Sequence, residues 1–336
     1  MSEATVKAGV IGVGRMGRNH ARVYGELAGV ELVGVSDKDR EAAASVAEEF
    51  DTESLEAEDL LSVADVVTVA VPTQFHAPLV RSCIEAGVDV LVEKPFVDDP
   101  EVGRELVREA EEAGVMIQVG HIERFNPAVQ GLTDLSPDLG IKAVDAQRLG
   151  PPIDRQIDDS VVLDLMIHDI DILLSLVDSE LDFVAATGTH DGQHATALLR
   201  FENGVIGRLT ASRITQKKVR TMNVTAEDCL VDVDYTNQSL EIHRSSFPEY
   251  VEKENEMRYR HESVVETPMV ESGEPLKREL RAFVDAATGD RQPVVTAEDA
   301  IRALEVAIRI DEAVKATSQP SPELDDVEGM EEVAEW

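Results

Sequence analysis

The first 122 residues alternate short apolar runs with amphipathic helical patterns, and this alternation constrains the fold more than any other feature. The apolar runs occupy residues 6–13, 30–37, 66–71, 88–95 and 115–120. They are nearly continuous rather than alternating, which is typical of strands buried on both faces of a parallel sheet. The pattern therefore predicts a doubly wound α/β domain over residues 1–122.

The pattern changes after residue 122. Residues 161–177 read as a helix, and strand-like segments separated by turns follow between residues 181 and 244. The sequences FENG (201–204) and AEDC (226–229) are typical of hairpin turns. These features predict an α+β domain over residues 123–295 that contains a large, mostly antiparallel open sheet.

Two further helices are predicted near the C-terminus, at residues 275–288 and 296–317. Thr296 is suited to cap the second of them, and we expect this helix to pack back on the first domain. Residues 318–336 are acidic and interrupted by proline, so we expect a disordered tail there.

Acidic residues outnumber basic residues by more than two to one. The chain contains 67 Asp and Glu against 31 Lys and Arg, a formal net charge of −36. The acid is spread along the chain, as in cytosolic proteins of salt-loving archaea, where salt screens the self-repulsion. This charge argues against a nucleic-acid partner. No apolar run approaches the roughly 20 residues of a membrane span, and two cysteines suit a reducing compartment. We therefore expect a cytoplasmic protein without a membrane partner.

A glycine motif joins the first apolar run to the first helical pattern. Gly12, Gly14 and Gly17 have the spacing G-x-G-x-x-G. In this context the spacing gives a tight turn, close approach of a pyrophosphate and a helix N-terminus that faces it. The sequence therefore predicts a dinucleotide site, which also includes Arg15 and Met16 at the start of the helix.

The residue that ends the second strand bears on which dinucleotide binds. Asp37 follows Gly17 by 20 positions. A carboxylate there accepts hydrogen bonds from a ribose 2′-hydroxyl and repels a 2′-phosphate, which favours NAD over NADP. Arg40 lies nearby and would favour the phosphate, so the preference stays open.

Two more segments fall where predicted strands end, and open α/β sheets bind ligands at that edge. AVPTQFHAP (70–78) places Pro72 and Thr73 beside the nicotinamide ribose. His76 is either a cofactor contact or a helix-start residue. VLVEKPF (90–96) places Glu93 and Lys94 in the cleft, where we count both as cofactor residues and give Lys94 a functional role.

The helical segment VVLDLMIHDIDILLSLV (161–177) is apolar on nearly all sides and yet carries four titratable residues. Asp164, His168 and Asp171 fall within one narrow arc of a helix, whereas Asp169 points elsewhere. Three interpretations of these side chains are open. They form a structural His–Asp pair, a metal site, or a catalytic imidazole oriented by a carboxylate. We favour the catalytic reading, because an imidazole pKa near ~6.5 suits proton transfer and no further metal-ligand cluster is evident. For Asp169 we expect a structural partner.

Taken together, GVIGVGRMGRNHA, AVPTQFHAP, VEKPF and DLMIHDIDI resemble the glucose–fructose oxidoreductase / inositol dehydrogenase (Gfo/Idh/MocA) family over nearly the whole chain. The resemblance implies an NAD-binding Rossmann domain, followed by a domain whose open sheet often forms the oligomer interface. A homodimer or homotetramer is therefore expected. The resemblance also implies a catalytic set made of the lysine of E-K-P and a D-x-x-x-H pair, here Lys94, Asp164 and His168.

Two segments carry a narrower resemblance to the UDP-N-acetylglucosamine 3-dehydrogenases of that family: VGHIERFNPAV (119–129) and RLGPPIDRQIDDSVVLDLMIHDIDI (148–172). This implies a small-molecule substrate, a UDP-sugar whose 3-hydroxyl is oxidised by hydride transfer to NAD. A dehydrogenase of a free sugar or inositol and a non-catalytic NAD-sensing regulator stay open as alternatives. The substrate residues expected on this basis are His121, Arg124, Asn126, Arg155 and Asp171.

A basic stretch interrupts the acidic chain. No acidic residue lies between Glu202 and Glu227. The basic residues of that stretch either contact a substrate diphosphate, together with Arg148, or pair with acids of the same fold or of a neighbouring subunit. They are Arg208, Arg213, Lys217, Lys218 and Arg220.

Overall fold

The computed structural model describes residues 5–152, 160–189, 191–245, 249–253, 256–260, 262–289 and 292–317. The strands are β1 (Val6–Ile11), β2 (Val30–Ser36), β3 (Val66–Val69), β4 (Asp89–Glu93), β5 (Ile117–Gly120), β6 (Ile141–Leu149), β7 (Leu181–Gly188), β8 (His194–Phe201), β9 (Ile206–Ser212), β10 (Val219–Ala226), β11 (Leu230–Asp234), β12 (Ser239–Ser245), β13 (Glu249–Lys253), β14 (Glu256–Arg260) and β15 (Ser263–Glu266). The helices are α1 (Arg15–Glu26), α2 (Arg40–Glu49), α3 (Ala57–Val63), α4 (His76–Ala86), α5 (Pro100–Ala113), α6 (Pro127–Leu135), α7 (Ile167–Leu176), α8 (Pro275–Ala287) and α9 (Ala297–Thr317).

The first five strands form a parallel sheet in the order β2-β1-β3-β4-β5. Alternate residues of β4 enter different cores, because Val90 and Val92 pack on one face of the sheet and Leu91 packs on the other. This burial on both faces explains the continuous apolar runs and confirms the doubly wound domain. The chain leaves β1 in opposite directions to reach β2 and β3, so a cleft opens at the carboxyl ends of β1 and β3.

The second sheet has eight strands in the order β15-β12-β11-β10-β6-β9-β8-β7. Its strand pairs are antiparallel except β6 with β9, which confirms the predicted open, mostly antiparallel sheet. FENG joins β8 to β9 and AEDC joins β10 to β11, as predicted. Strand β6 in the middle of the sheet, β15 at its edge and the separate hairpin of β13 with β14 were not predicted. One face of the sheet packs on α6, α7 and α9, and the other face points outward.

The two C-terminal helices return to the first domain. Helix α8 packs Leu280 and Phe283 into the core that also contains residues of α1. Residues 275–287 thus belong to the packing of the first domain, although the sequence assigned them to the second. Among the described helices, including α9 with its 21 residues, none is both long and apolar enough to cross a membrane.

Helix α9 takes part in both domain cores. It begins with a reciprocal cap, in which Asp299 N–H donates to Thr296 Oγ1 (3.1 Å) and Thr296 N–H donates to Asp299 Oδ2 (3.3 Å). Leu304 packs in a core of the first domain and Ile310 packs in the core of the second. A single continuous helix therefore fixes the two domains relative to each other.

A buried ion pair attaches α7 to the second sheet. Arg148 of β6 donates through Nε and Nη2 to the carboxylate of Asp169 (2.9 and 2.8 Å), and Asp169 is 2% exposed. The same guanidinium donates through Nη1 to Glu123 (2.7 Å). Asp169 thus has the structural partner that its position outside the polar arc predicted.

Asp169→Ala should lower the free energy of unfolding by about 3 kcal/mol, because it removes one of the two carboxylates that compensate the buried charge of Arg148. Urea unfolding at a fixed high salt concentration measures the change. The matched control is Asp182→Ala, which breaks the exposed pair with Arg200 and should cost less than about 1 kcal/mol. Equal losses in the two variants would show that the buried Arg148 pair contributes no more to stability than the exposed Arg200 pair.

Candidate active site

The three positions of the glycine motif after β1 require glycine for different geometric reasons. Gly12 has φ +92°, and a Cβ there would lie 2.5 Å from the carbonyl oxygen of Ala70. A Cβ on Gly17 would lie 1.7 Å from the carbonyl oxygen of Gly12. These two glycines keep the turn tight and hold the helix against the strand. Gly14 is different, because a Cβ there would meet nothing within 4 Å and the space in front of it is open.

The start of α1 suits an anionic ligand. Gly14 occupies the N-cap position without a side-chain cap, so the first-turn backbone N–H groups at Arg15 and Met16 are not used by a capping side chain. The positive end of the helix dipole adds to their attraction for a phosphate. The residues present here fit the pyrophosphate of a dinucleotide.

Asp37 is held at the mouth of this cleft by two backbone donors. Its Oδ2 accepts from Val13 N–H (2.8 Å) and its Oδ1 accepts from Asp39 N–H (2.9 Å). Each oxygen keeps a lone pair for a ribose hydroxyl. Arg40, which left the preference for NAD open, forms an exposed ion pair with Glu56, so a carboxylate already partners its charge.

The other predicted cofactor residues divide into two kinds. Pro72 is exposed and Thr73 is half-buried. Both follow the end of β3, where a cofactor can reach them. His76 is 1% exposed, and its ring nitrogens face the carbonyl oxygens of Val71 (Nε2, 2.8 Å) and Pro95 (Nδ1, 3.0 Å). Of the two alternatives for His76, the structure shows the helix-start position, since α4 begins at His76, and its side chain ties together the two loops that border the cleft.

Glu93 is anchored to α1. Its Oε1 lies 2.7 Å from Nε2 of His20, which is fully buried. Burial alone would raise the pKa of Glu93, but the hydrogen bond from His20 and the nearby charge of Lys94 hold that pKa below its usual value. An ionised carboxylate at this edge would stabilise the cationic ring of an oxidised nicotinamide bound beside it. The sequence singled out Glu93 but gave no signal for its partner His20.

Lys94 reaches from the end of β4 into the second domain. Its Nζ donates to the backbone carbonyl oxygen of Asp164 (2.6 Å) and to Asp164 Oδ1 (3.1 Å). The other carboxylate oxygen, Oδ2, accepts from Arg213 Nη2 (2.8 Å). Burial would raise the pKa of Asp164, but the charge of Lys94 and the hydrogen bond from Arg213 hold it below its usual value. Asp164 is thus an ionised bridge between two cations, one from each domain.

The chain around Asp164 departs from a regular helix. Residues Val162–Met166 form a π-helical turn that leads into α7. Ser160 Oγ accepts from Leu163 N–H (3.3 Å) at the start of this turn. A π turn changes the angular spacing between Asp164 and His168 and is frequent at functional sites. Asp164 accordingly hydrogen bonds with Lys94 and Arg213, whereas the sequence favoured an imidazole oriented by a carboxylate.

His168 lies beside this ion pair in a cationic environment. Its Nδ1 is buried, and within the described ranges it has no hydrogen-bond partner. Burial first, and then the charges of Lys94 and Arg148, lower the pKa of His168 well below 6.5. The imidazole is therefore neutral at neutral pH and keeps a lone pair that can accept a proton.

His121 and Asp171 continue the polar arc on the other side of His168. The rings of His121 and His168 meet edge to face with their centroids 6.3 Å apart. Asp171 Oδ2 lies 3.8 Å from Nδ1 of His121 and accepts from Arg124 Nε (3.0 Å). Arg124 Nη2 also lies 3.5 Å from Asp299 Oδ2. Two carboxylates thus partner Arg124, which makes it a weaker candidate for a substrate phosphate.

Asn126 and Arg155 were also expected to bind the substrate. Asn126 caps α6 by accepting from Ala128 N–H (3.1 Å), and its amide donates to the carbonyl oxygen of Tyr235 (3.0 Å) and to Glu123 (3.2 Å). Its proposed substrate role is corrected, because it is buried and its donors are used. Arg155 lies outside the described residues. Within the described residues, no three His, Cys, Asp or Glu side chains are grouped to hold a metal ion.

Comparison with known proteins decides the family. A model of the oxidoreductase family with an NAD-binding Rossmann fold matches residues 6–121, and a model of the Gfo/Idh/MocA C-terminal domain matches residues 144–231. The chain belongs to the Gfo/Idh/MocA oxidoreductase family. It is therefore an oxidoreductase whose first domain is the NAD-binding domain of that family, and the glycine motif and Asp37 lie within the matched range.

Two enzymes illustrate the similarity. The chain is 36% identical over 243 residues to UDP-N-acetylglucosamine 3-dehydrogenase of Acidithiobacillus ferrooxidans. The aligned region covers 71% of this chain and 77% of that enzyme. A crystal structure of that enzyme superposes with a TM-score of 0.85 at 31% identity, over 94% of this chain and 99% of the other. The chain is also 31% identical over 215 residues to an inositol 2-dehydrogenase/D-chiro-inositol 3-dehydrogenase of Halalkalibacterium halodurans, over 58% of this chain and 60% of that protein.

More distant structures show the same fold. Scyllo-inositol dehydrogenase from Lactobacillus casei, solved with bound NAD(H) and scyllo-inositol, superposes with a TM-score of 0.76 over 93% of this chain and 97% of the other. The sequence identity is only 19%, so the two-domain architecture persists although most side chains differ.

Gly14→Val should abolish NAD binding with little effect on folding. The new side chain fills the open space where the pyrophosphate approaches, but it meets no protein atom within 4 Å of its Cβ, and φ at this position is −62°. We expect at least a 100-fold weaker NAD affinity by calorimetry and a loss of at most about 1 kcal/mol in unfolding free energy. The control is Gly25→Val in the same helix, also open at Cβ but far from the cleft. NAD binding that survives in the Gly14 variant would contradict this placement of the cofactor.

Proposed function

We propose that this protein oxidises the 3-hydroxyl of UDP-N-acetylglucosamine to a ketone, with hydride transfer from C3 to NAD. The observation that carries the proposal is the Lys94–Asp164 pair beside a neutral His168, at the carboxyl edge of the NAD-binding sheet. Similarity to a UDP-N-acetylglucosamine 3-dehydrogenase over 94% of this chain supports the choice of substrate.

The catalytic roles follow from the donors and acceptors at the site. Bound NAD accepts the hydride, and the protein must remove the hydroxyl proton. His168, neutral with a free lone pair, accepts that proton as general base. Lys94 uses two of its three ammonium donors on Asp164, which leaves the third to hold the reacting oxygen. Asp164 acts as the positioning residue for Lys94.

The same geometry supports NAD rather than NADP. Asp37 offers lone pairs to the adenosine ribose hydroxyls, and Arg40 is partnered by Glu56. A 2′-phosphate would be repelled by the carboxylate of Asp37, and the charge of Arg40 is already partnered.

Oxidation of a free sugar or inositol is the nearest alternative. It is favoured by the 31% identity to an inositol dehydrogenase, because a cyclic alcohol could meet the same three catalytic side chains. A non-catalytic NAD sensor fits less well, since such a protein has no need for an ionised Asp164 between two cations.

We also propose a homodimer or homotetramer assembled through the outward face of the second sheet. On β7, β8 and β9 this face exposes Phe183, Leu198 and Ile206, each at least 42% exposed. Apolar side chains on adjacent strands of an open sheet are typical of an interface between subunits. The excess of acidic residues supports a cytoplasmic protein that works at high salt.

The substrate proposal is tested by following NADH formation at high salt with UDP-N-acetylglucosamine, N-acetylglucosamine and myo-inositol. Efficient turnover of the nucleotide sugar, with kcat/KM at least 100-fold above that for either free compound, is expected. Oxidation of inositol or of the free sugar with no turnover of the nucleotide sugar would overturn the assignment.

The assignment of His168 as base predicts the pH dependence of kcat/KM. The base works only when deprotonated, and its pKa is lowered well below 6.5, so activity should stay constant as the pH falls through 6.5 and decline only below it. His168→Gln should lose about 100-fold or more in kcat with NAD affinity retained. An acid limb above pH 7, or a near-normal rate in the His168 variant, would assign the base to another group, with Lys94 the first to test.

A further inference from the structure

The second sheet places two arginines directly opposite each other on its inner face. In the antiparallel pair of β10 with β6, Arg220 is aligned with Arg148. Like charges at directly opposed positions are destabilising. Arg148 is compensated by Asp169 and Glu123, but in the described part of the chain no carboxylate lies within ion-pair distance of Arg220. Asp169, Glu123 and Asp164 act on Arg220 from a longer range, so the fold keeps a cation without a contact ion pair directly opposite another cation.

The other basic residues of the 208–220 stretch do not share this situation. Arg208 pairs with Asp145 on the outward face of the sheet, and Arg213 pairs with Asp164. Lys217 and Lys218 are exposed in the connection between β9 and β10. Of the two readings of this stretch, pairing within the fold accounts for Arg208 and Arg213 but leaves Arg220 unexplained.

Among the described residues, the hydrogen bonds of Arg220 use only one end of its guanidinium. Nη1 donates to the carbonyl oxygens of Leu149 (2.6 Å) and Val219 (2.9 Å), which occupies both of its N–H groups. Nε and Nη2 remain, and they present two parallel donors on the same edge. Such a fork matches two oxygens of a phosphate or carboxylate. The two carbonyl contacts also fix the orientation of the fork before any ligand arrives.

The strand register places this fork near the helix that carries His168. Arg220 is half-buried, and burial together with the charge of Arg148 lowers its pKa. Arg148, directly opposite Arg220, hydrogen-bonds Asp169, which follows His168 in α7, so the guanidinium lies near the proposed base. The charge of Arg220 is accordingly one of those that lower the pKa of His168. An anionic group bound here would relieve the repulsion between Arg220 and Arg148, and it would sit beside the reacting sugar rather than on the reacting carbon.

We infer that Arg220 is a specificity-determining residue that binds the diphosphate of the nucleotide sugar and selects it over uncharged sugars. This inference rests on the proposed function and names the residue responsible for its substrate class. Lys94, Asp164 and His168 act on the sugar ring, whereas Arg220 holds the oxyanion attached to it. A sugar carboxylate offers the same pair of oxygens, so the experiment must distinguish binding of a diphosphate from binding of a sugar carboxylate.

The test measures binding of UDP and of D-glucuronate to the NAD-loaded protein by calorimetry at one fixed salt concentration. Arg220→Met removes the charge and the fork, and Arg220→Lys keeps the charge without the fork. The matched control is Arg244→Met, which removes a guanidinium from β12, two strands away, where it pairs with Glu266. Circular dichroism and NAD affinity establish that each variant is folded.

We expect UDP affinity to fall at least tenfold in Arg220→Met and severalfold in Arg220→Lys, with no change in Arg244→Met. For UDP-N-acetylglucosamine, KM should rise by a similar factor while kcat stays within about threefold, because Arg220 does not contact the reacting atoms. If Arg220→Met does not fold, the lysine variant carries the test.

Unchanged UDP affinity in folded Arg220 variants would overturn the inference and leave the proposed function intact. Binding of glucuronate, but not UDP, that is lost in Arg220→Met would assign the fork to a sugar carboxylate and overturn the diphosphate assignment. Failure of the unmodified protein to oxidise UDP-N-acetylglucosamine, although Arg220 variants lose UDP binding, would instead overturn the proposed function alone.

Discussion

The cleft depends on the carboxylate of Asp164, which bridges Lys94 of the NAD-binding domain and Arg213 of the second sheet. Each of its oxygens accepts from a different cation, so removal of Asp164 would leave two partly buried charges facing each other. Such a charge is costly unless it is paired. The bridge therefore fixes the lysine proposed to be catalytic and joins the two domains at the proposed active site. Helix α9 makes the same connection on a larger scale by packing in both domain cores.

A chain with a net charge of −36 nevertheless places three cations near His168. Lys94, Arg148 and Arg220 all act on His168, and together with burial they keep its imidazole neutral. A neutral imidazole can accept a proton, and an anionic nucleotide sugar meets local cations in spite of the repulsive charge of the whole protein. High salt screens the long-range repulsion more strongly than the short-range contacts inside the cleft.

The fold could be predicted where the signal lies in neighbouring residues. Continuous apolar runs identified the parallel strands, and the glycine spacing identified the turn that precedes α1. Strand β6 was missed because polar residues interrupt IKAVDAQRL, and because Arg148 lies on its inner face with partners, Asp169 and Glu123, that are distant in sequence. The π turn was not predicted either, because the sequence of this segment indicates only a helix.

The sequence indicated which residues form the proposed site, but it did not indicate which of them contact one another. Lys94, Asp164 and His168 were correctly expected to lie near one another, yet the sequence could not show that Asp164 would bind Lys94 and Arg213 rather than the imidazole. His76 and Asn126 were assigned to ligands, and the structure instead gives them backbone partners. Polar side chains in loops satisfy whichever buried backbone groups the fold brings near them, and that depends on tertiary structure.

The most direct test of this account is the single-turnover rate of NADH formation by Asp164→Asn, with NAD and UDP-N-acetylglucosamine both saturating. The amide retains the shape of the side chain but loses the charge that orients Lys94. The account predicts a fall of about 100-fold in the rate of hydride transfer, with NAD affinity within twofold of that of the unmodified protein. A rate within threefold of the unmodified protein would contradict the claim that the Asp164 bridge assembles the catalytic site.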